Sequence, residues 1–169
     1  MDKILFHIND TITHKKHVLD SAYLMCRYLF SVNKKDLGLE LIKRAAEHDN
    51  SKFFSNELLD ISNIADNFKN FKDPSLLLDS EDEEKIKEHW KNNRHHPEHF
   101  SNLENMEELD LLEMICDWHA RSKQHKTDLI EFVKIRQNNR FHFSKPMFDK
   151  IMFYCNIIIN EFNKENIQK

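Results

Sequence analysis

Apolar residues return at helical rather than alternating spacing along most of the chain. Between about Thr11 and Phe30, Val18, Ala22, Met25 and Leu29 share one stripe, which predicts a helix with Asp10 or Thr11 capping its start. A second helix is predicted from Asp36 through LGLELIKRAA to near His48, and a third over about residues 55–68. The loop NFKDPSLLLD follows, where Pro74 breaks the periodicity. Ser80 and Glu83 form a capping-box pattern, so EDEEKIKEHWKNN reads as a charged helix ending just before His95 and His96. Pro97 disfavours a helical conformation at His96, which puts both histidines on a loop or at a helix end. Leu109, Leu112, Ile115 and Cys116 mark a long amphipathic helix from about Met106 to His125, and two more helices are predicted over about 127–137 and 144–164. No repeat, low-complexity segment or internal linker interrupts this order.

Composition turns that order into a fold class. A chain of 169 residues suits one domain with a substantial core. Gly occurs once and Pro three times, too few turn residues for a many-stranded protein. The expectation is an all-α, single helical bundle of about six to seven helices spanning residues 1–169. The net charge of -4, with Lys and Glu interleaved, excludes a broad nucleic-acid surface but leaves a small phosphorylated ligand open. The longest apolar runs, such as FYCNIII at 153–159, are broken by Asn156 and fall short of a membrane span. Cys26, Cys116 and Cys155 lie inside apolar helical patterns, with no CxxC pair and no secretory signal, so reduced thiols in a cytoplasmic protein are expected. The apolar C-terminal helix around Phe153 to Phe162 suits an interface as well as a core, leaving oligomerisation open.

The candidate chemistry lies in the histidines and acids. Neutral imidazoles and carboxylates bind hard or borderline divalent metals, and the chain offers His14 and His17, then His48 and Asp49, then His89, His95, His96 and His99, then Asp117 and His119. His14 precedes Val18 by one turn and shares its stripe, so it faces the core, whereas His17 does not. An adjacent His and Asp at a helix end can reach one metal, with the carboxylate free to bridge to a second ion. Lys52, four residues after His48, stands close enough to neutralise a phosphoryl oxygen. Asp117, with Glu113 and Met114 before it and Arg121 after it, lies on a mixed face that suits a ligand or an ordinary solvated acid. His7, His119, His125 and His142 read as ordinary core or surface histidines.

In order, HKKHV at 14–18, HDNSKF at 48–53, HWKNNRHH at 89–96 and EMICDW at 113–118 resemble the HD superfamily of metal-dependent phosphohydrolases, whose ligands come as H, HD and D on a helical bundle. The later H and HH are similar to the two-metal HD-GYP phosphodiesterases. The local wording is similar to an uncharacterised phage and bacterial group with HKxxV, HDxSKF, HxxxNxHH and EMxCDW segments. The resemblance implies an HD-like fold with His14, His48, Asp49 and Asp117 on a first metal, and His89 with His95 or His96 on a second that Asp49 bridges. It implies one or two divalent ions (Mn, Fe, Co, Ni or Zn, with Mg admissible) and a small phosphorylated substrate such as a nucleotide. Asp49 and Lys52 would be catalytic, Arg94 and Lys91 would join Lys52 in gripping phosphate, and Glu113 would orient a ligand imidazole. Trp90 and Trp118 are read as core. No GYP motif is present, so cyclic-dinucleotide specificity is not carried over. The rival readings are a di-iron oxygenase similar to myo-inositol oxygenase and a non-catalytic metal- or nucleotide-binding module.

Overall fold

The computed structural model describes residues 2–54, 57–59, 61 and 80–167. Among them every regular element is helical, giving an all-α bundle. Helix α1 (Asp2–Ser31) begins about two and a half turns before the expected start, so Asp10 and Thr11 lie inside it and cap nothing. The reason is chemical. The inward stripe continues upstream through His7 and Thr11, both buried, and polar residues on a core face escape a reading based on apolar periodicity.

At the end of α1 the chain reverses through Asn33, whose φ of 62° lies in the left-handed region that Asn tolerates. The Lys34 N–H donates to the Leu29 carbonyl at 2.8 Å and the Asn33 N–H to the Phe30 carbonyl at 3.2 Å, closing the helix. Helix α2 (Lys35–Glu47) then packs back along α1. The approach is close at Gly38, where a Cβ would lie 2.8 Å from Cys26 Sγ and 2.8 Å from the Phe30 ring.

Helix α3 (Ser80–Asn92) starts and ends within a residue of the charged segment read from the sequence. Single turns at Pro97–His99 and Leu103–Asn105 lead to α4 (Glu108–His125), followed by α5 (Leu129–Arg136), a π-helical turn at Gln137–Phe141 and α6 (Lys145–Ile167). Of the helix expected over 55–68, residues 57–59 and 61 are helical; the rest, with the Pro74 loop, lies outside the described residues.

Helix α4 is the spine. Every residue from Asp110 to Ala120 is buried, because α1, α2, α5 and α6 all pack against it. Its N-terminus is closed by a reciprocal capping box between Glu107 and Asp110. The expected core residues Val18, Ala22, Met25 and Leu29 meet Leu112, Ile115 and Cys116 with no solvent exposure. Trp118 packs on Phe132, Phe141 and Phe143, a core role as expected, while Trp90 is half-buried under the Arg140 guanidinium. Helix α6 turns Ile151, Tyr154, Cys155 and Ile158 inward and leaves Phe153 half-exposed, so its main face is core. The three cysteines are free and buried. Among the described residues no helix is long and apolar enough to cross a membrane.

Filling the contact at Gly38 tests the α1 to α2 approach. Gly38→Val overpacks it by roughly 1–3 kcal/mol, more than the helix propensity gained. Thermal unfolding should show a lower midpoint with native helicity retained; an unchanged midpoint would mean that α2 shifts freely on α1.

Candidate metal centre

The centre forms where α1, the end of α2, the end of α3 and the middle of α4 meet. Helix α2 stops at His48, and Asp49 takes a left-handed conformation (φ 55°, ψ 21°), which an Asp tolerates better than most residues. That single αL residue turns the chain into the short 3-10 helix Asn50–Phe53, so Asp49 points back beside His48 and Lys52 returns to it one turn later. Helix α3 brings His89, and its Asn93 side chain donates to the His89 carbonyl at 2.7 Å, which closes the helix end. The loop that Pro97 terminates then presents His95 and His96.

Three groups of potential metal donors result, all buried except the half-buried His96: His14, His48 and Asp117; Asp49, His89, His95 and His96; and His48, His95 and Glu113. Asp49 links the first two. Its Oδ2 lies 3.5 Å from His48 Nε2, while its Oδ1 lies 3.4 Å from His89 Nε2 and 3.6 Å from His95 Nε2. His14 Nε2 stands 2.8 Å from Asp117 Oδ1, and His96 Nε2 stands 2.9 Å from His89 Nε2. Donor atoms about 2.0–2.2 Å from one ion lie about 2.8–3.6 Å from one another in octahedral or tetrahedral arrangements. These five separations match the edges of such polyhedra.

The third group is different in kind. His48 Nδ1 and His95 Nδ1 approach the same oxygen, Glu113 Oε1, at 3.1 and 3.4 Å, while their Nε2 atoms face Asp49. Glu113, expected from the sequence to orient a ligand imidazole, thus contacts two rings at once. Arg44 fixes its other oxygen at 2.6 Å. Gln124 Oε1 does the same for His14 Nδ1 at 2.9 Å, and Glu57 for His89 Nδ1. With each Nδ1 facing an acceptor, a neutral ring in this set holds its proton there and turns its Nε2 lone pair inward. His14 Nε2, His48 Nε2, His95 Nε2 and Asp49 Oδ1 are fully buried without an acceptable hydrogen bond. Buried polar atoms left so are expensive, and a cation among them is the simplest partner. The donor set fits divalent ions.

Electrostatics agrees. Burial would raise the Asp49 carboxyl, yet His48, Lys52, His89 and His95 hold it well below the usual carboxylate range. Asp117 is likewise held well below that range against burial by His14, His48 and His95. Burial, then the Arg121 charge, depresses His14 to about 4; burial and Lys52 lower His89; burial with His95 and His89 lowers His96 far. These rings are neutral and ligand-competent at neutral pH. His48 is the exception: burial pulls it down, but Asp49, Glu113 and Asp117 together raise it.

The remaining expected residues fall as follows. Lys52 is buried and donates to Asp49 Oδ2. Arg94, expected to grip phosphate, forks onto Asp110 at 3.1 and 2.8 Å, and Arg44 joins the same carboxylate at 2.7 Å, so the two guanidinium groups clamp the first turn of α4. It nevertheless lines a cleft of about 400 Å³, with Arg44 and Asn93, that reaches His48, His95 and Glu113. Lys91 is exposed, and no contact ties it to the centre among the described residues. His17 and His99 are half-buried and outside the donor groups, and His119 is a core histidine facing Ser21 Oγ at 2.9 Å. His7, read as ordinary, is buried with an unpartnered Nε2, two turns before His14 on the same face of α1. Glu57, Gln124, Arg44 and Asn93 were not anticipated. Gln124 lies seven residues after Asp117, and following that face of α4 onward would have reached it.

Two outcomes follow. His14, with a folded value near 4 against about 6.5 unfolded, contributes stability that is full above about pH 6.5 and lost as pH falls towards 4. His7, His89, His96 and His119 act in the same direction, and only His48 opposes them. The thermal midpoint of the metal-free protein should therefore drop between about pH 7 and pH 5, and a flat or rising profile would contradict the neutral assignment. Glu113→Gln should weaken Mn²⁺ binding about 10–100-fold in calorimetry, and unchanged affinity would remove its orienting role.

Comparison with known proteins adds a family and no activity. No curated protein and no solved structure matches the chain. A family profile described as "Family of unknown function (DUF5662)" matches residues 3–157, a span that contains every donor above, and the chain belongs to that family.

Proposed function

We propose that the protein is a metal-dependent phosphohydrolase acting on a nucleotide or a related phosphate ester. One observation carries the reading: Asp49 stands between two buried imidazole sets with one carboxylate oxygen turned to each, and the Lys52 ammonium sits against it. The order H, HD, H, HH and D, which resembles the HD phosphohydrolases, supports it.

His14, His48 and Asp117 would hold one divalent ion and His89, His95 and His96 a second, with Asp49 shared. Such ions, when bound, supply Lewis acidity and a water of lowered pKa. The chain supplies the rest. Glu113, Gln124 and Glu57 keep the Nε2 atoms inward, so the donors need no rearrangement. Lys52 is pinned by Asp49, so its charge is in place before a phosphoryl oxygen arrives. The helices around α4 exclude bulk water from the donors and strengthen each of these interactions. Buried free thiols suit a reducing, cytoplasmic setting.

The test is phosphate release from a nucleotide panel with Mn²⁺, Co²⁺, Ni²⁺ or Mg²⁺ added. Asp49→Ala should abolish turnover, and Lys52→Ala should lower kcat about 10²–10³-fold while metal content stays stoichiometric. Silence across the panel with metal bound would remove the hydrolase reading. Tightly bound iron with oxygen consumption on a diol would replace it with the oxygenase, and metal loss that unfolds an inactive protein would replace it with the binding module.

A further inference from the structure

Helix α1 has two faces, and the metal centre uses one of them. On the opposite face Leu5, Ile12, Leu19, Tyr23 and Phe30 are between 38 and 58 % exposed. At 100° per residue all five fall within a stripe about 40° wide, roughly opposite His14. The stripe runs about 37 Å along the helix at 1.5 Å per residue. About half of each of five large side chains adds up to roughly 500 Å² of apolar surface, near the top of what monomers leave open.

The spacing says what fits there. Four of the five positions are self-complementary about a point between His17 and Val18: reversing the helix brings Leu5 level with Phe30 and Ile12 with Tyr23, while Leu19 comes level with Lys16 beside the stripe. A two-fold interface requires this property, since residue i must meet j while j meets i. The steps of seven and four residues average close to the 3.5-residue period of a left-handed helix pair.

Charge then selects the direction of pairing. Lys16 and Asp20 lie on the same flank of the stripe and pair within the chain at 2.9 Å, both exposed. With two copies antiparallel, Lys16 of each comes within one residue of Asp20 of the other, on the same flank. With two copies parallel, Lys16 of each comes within one residue of the other's Lys15, whose ammonium its own chain already engages at the Ala46 carbonyl and Asn50. Antiparallel pairing gives attraction where parallel pairing gives repulsion. Two stripes face to face bury about 1,000 Å² of apolar surface before any polar rim is counted, the lower bound for a specific interface.

We propose that the outer face of α1 is a homodimer seam, in which two copies pair antiparallel about a dyad between His17 and Val18. The proposal is independent of the assigned chemistry, because the seam lies across the helix from His14.

The test is sedimentation velocity over a micromolar concentration series. The unaltered chain should form a dimer, and Ile12→Glu with Tyr23→Glu, which places like charges opposite each other, should leave a monomer of unchanged helicity. Lys16→Glu and Asp20→Lys, both at exposed positions, should each weaken association at least about tenfold. Mixing those two single variants should restore it. Across the dyad the carboxylate introduced in one chain then faces the ammonium introduced in the other, and the retained Asp20 of the first faces the retained Lys16 of the second. Intrachain pairing cannot produce that rescue. A monomer throughout the series would overturn the seam and leave the stripe to another occupant. A dimer indifferent to Ile12→Glu with Tyr23→Glu would place the interface elsewhere, and failure of the mixed variants to associate would overturn the antiparallel arrangement.

Discussion

The structure is organised around one buried carboxylate. Asp49 is almost without solvent and has His48, His89, His95 and Lys52 around it, with Asp117 approaching the same His48 Nε2 at 3.9 Å. A helical bundle selected for stability alone would not place such a group in its interior. Replacing a buried polar constellation with well-packed apolar residues is often neutral or stabilising. Breaking it piecemeal costs several kcal/mol, because the remaining charges lose their partners.

The helices can be understood as answers to that constraint. Asp110, Glu113, Asp117 and Gln124 recur on α4 at intervals of three, four and seven, so one face of the central helix supplies a clamp for two arginines, a brace for two imidazoles, a donor and a brace for His14. The other faces of α4 hold Leu112, Ile115 and Cys116 in the apolar core. Helix α1 repeats the division, with Val18, Ala22, Met25 and Leu29 continuing the stripe that begins with His7, Thr11 and His14. The rigid apolar half positions the polar half, as a preformed site needs.

What the sequence discloses follows the same division. The all-α class, the α2 boundaries and the core stripe were legible because apolar periodicity reports them directly. The donors were legible because metal chemistry restricts residue types, although periodicity left Asp117 on a mixed face; only the packing of α1 against α4 turns it to His14. The upstream two turns of α1 were lost because His7 and Thr11 hold the inward positions there. The Arg94 fork was not legible because no spacing rule connects it to Asp110, sixteen residues away, and a fork-to-carboxylate match depends on geometry alone. Glu57 and Arg44 escaped for the same reason: their contacts join distant segments, and their residue types are common on helix surfaces.

Helix α1 joins the two conclusions about this protein through its geometry. His14 and the Leu5 to Phe30 stripe lie on opposite sides of one helix that is thirty residues long and uninterrupted by Gly or Pro. Pairing on the outer side therefore buries none of the donors and needs no movement of His14, whose ring Gln124 and Asp117 fix from within. It does restrain α1 along its length, including the two turns before Thr11 that carry His7. Leu5 and Phe6 are both at least half-exposed there. An interface that covers Leu5 with Phe30 of a second copy would hold in place the end of α1 that carries His7.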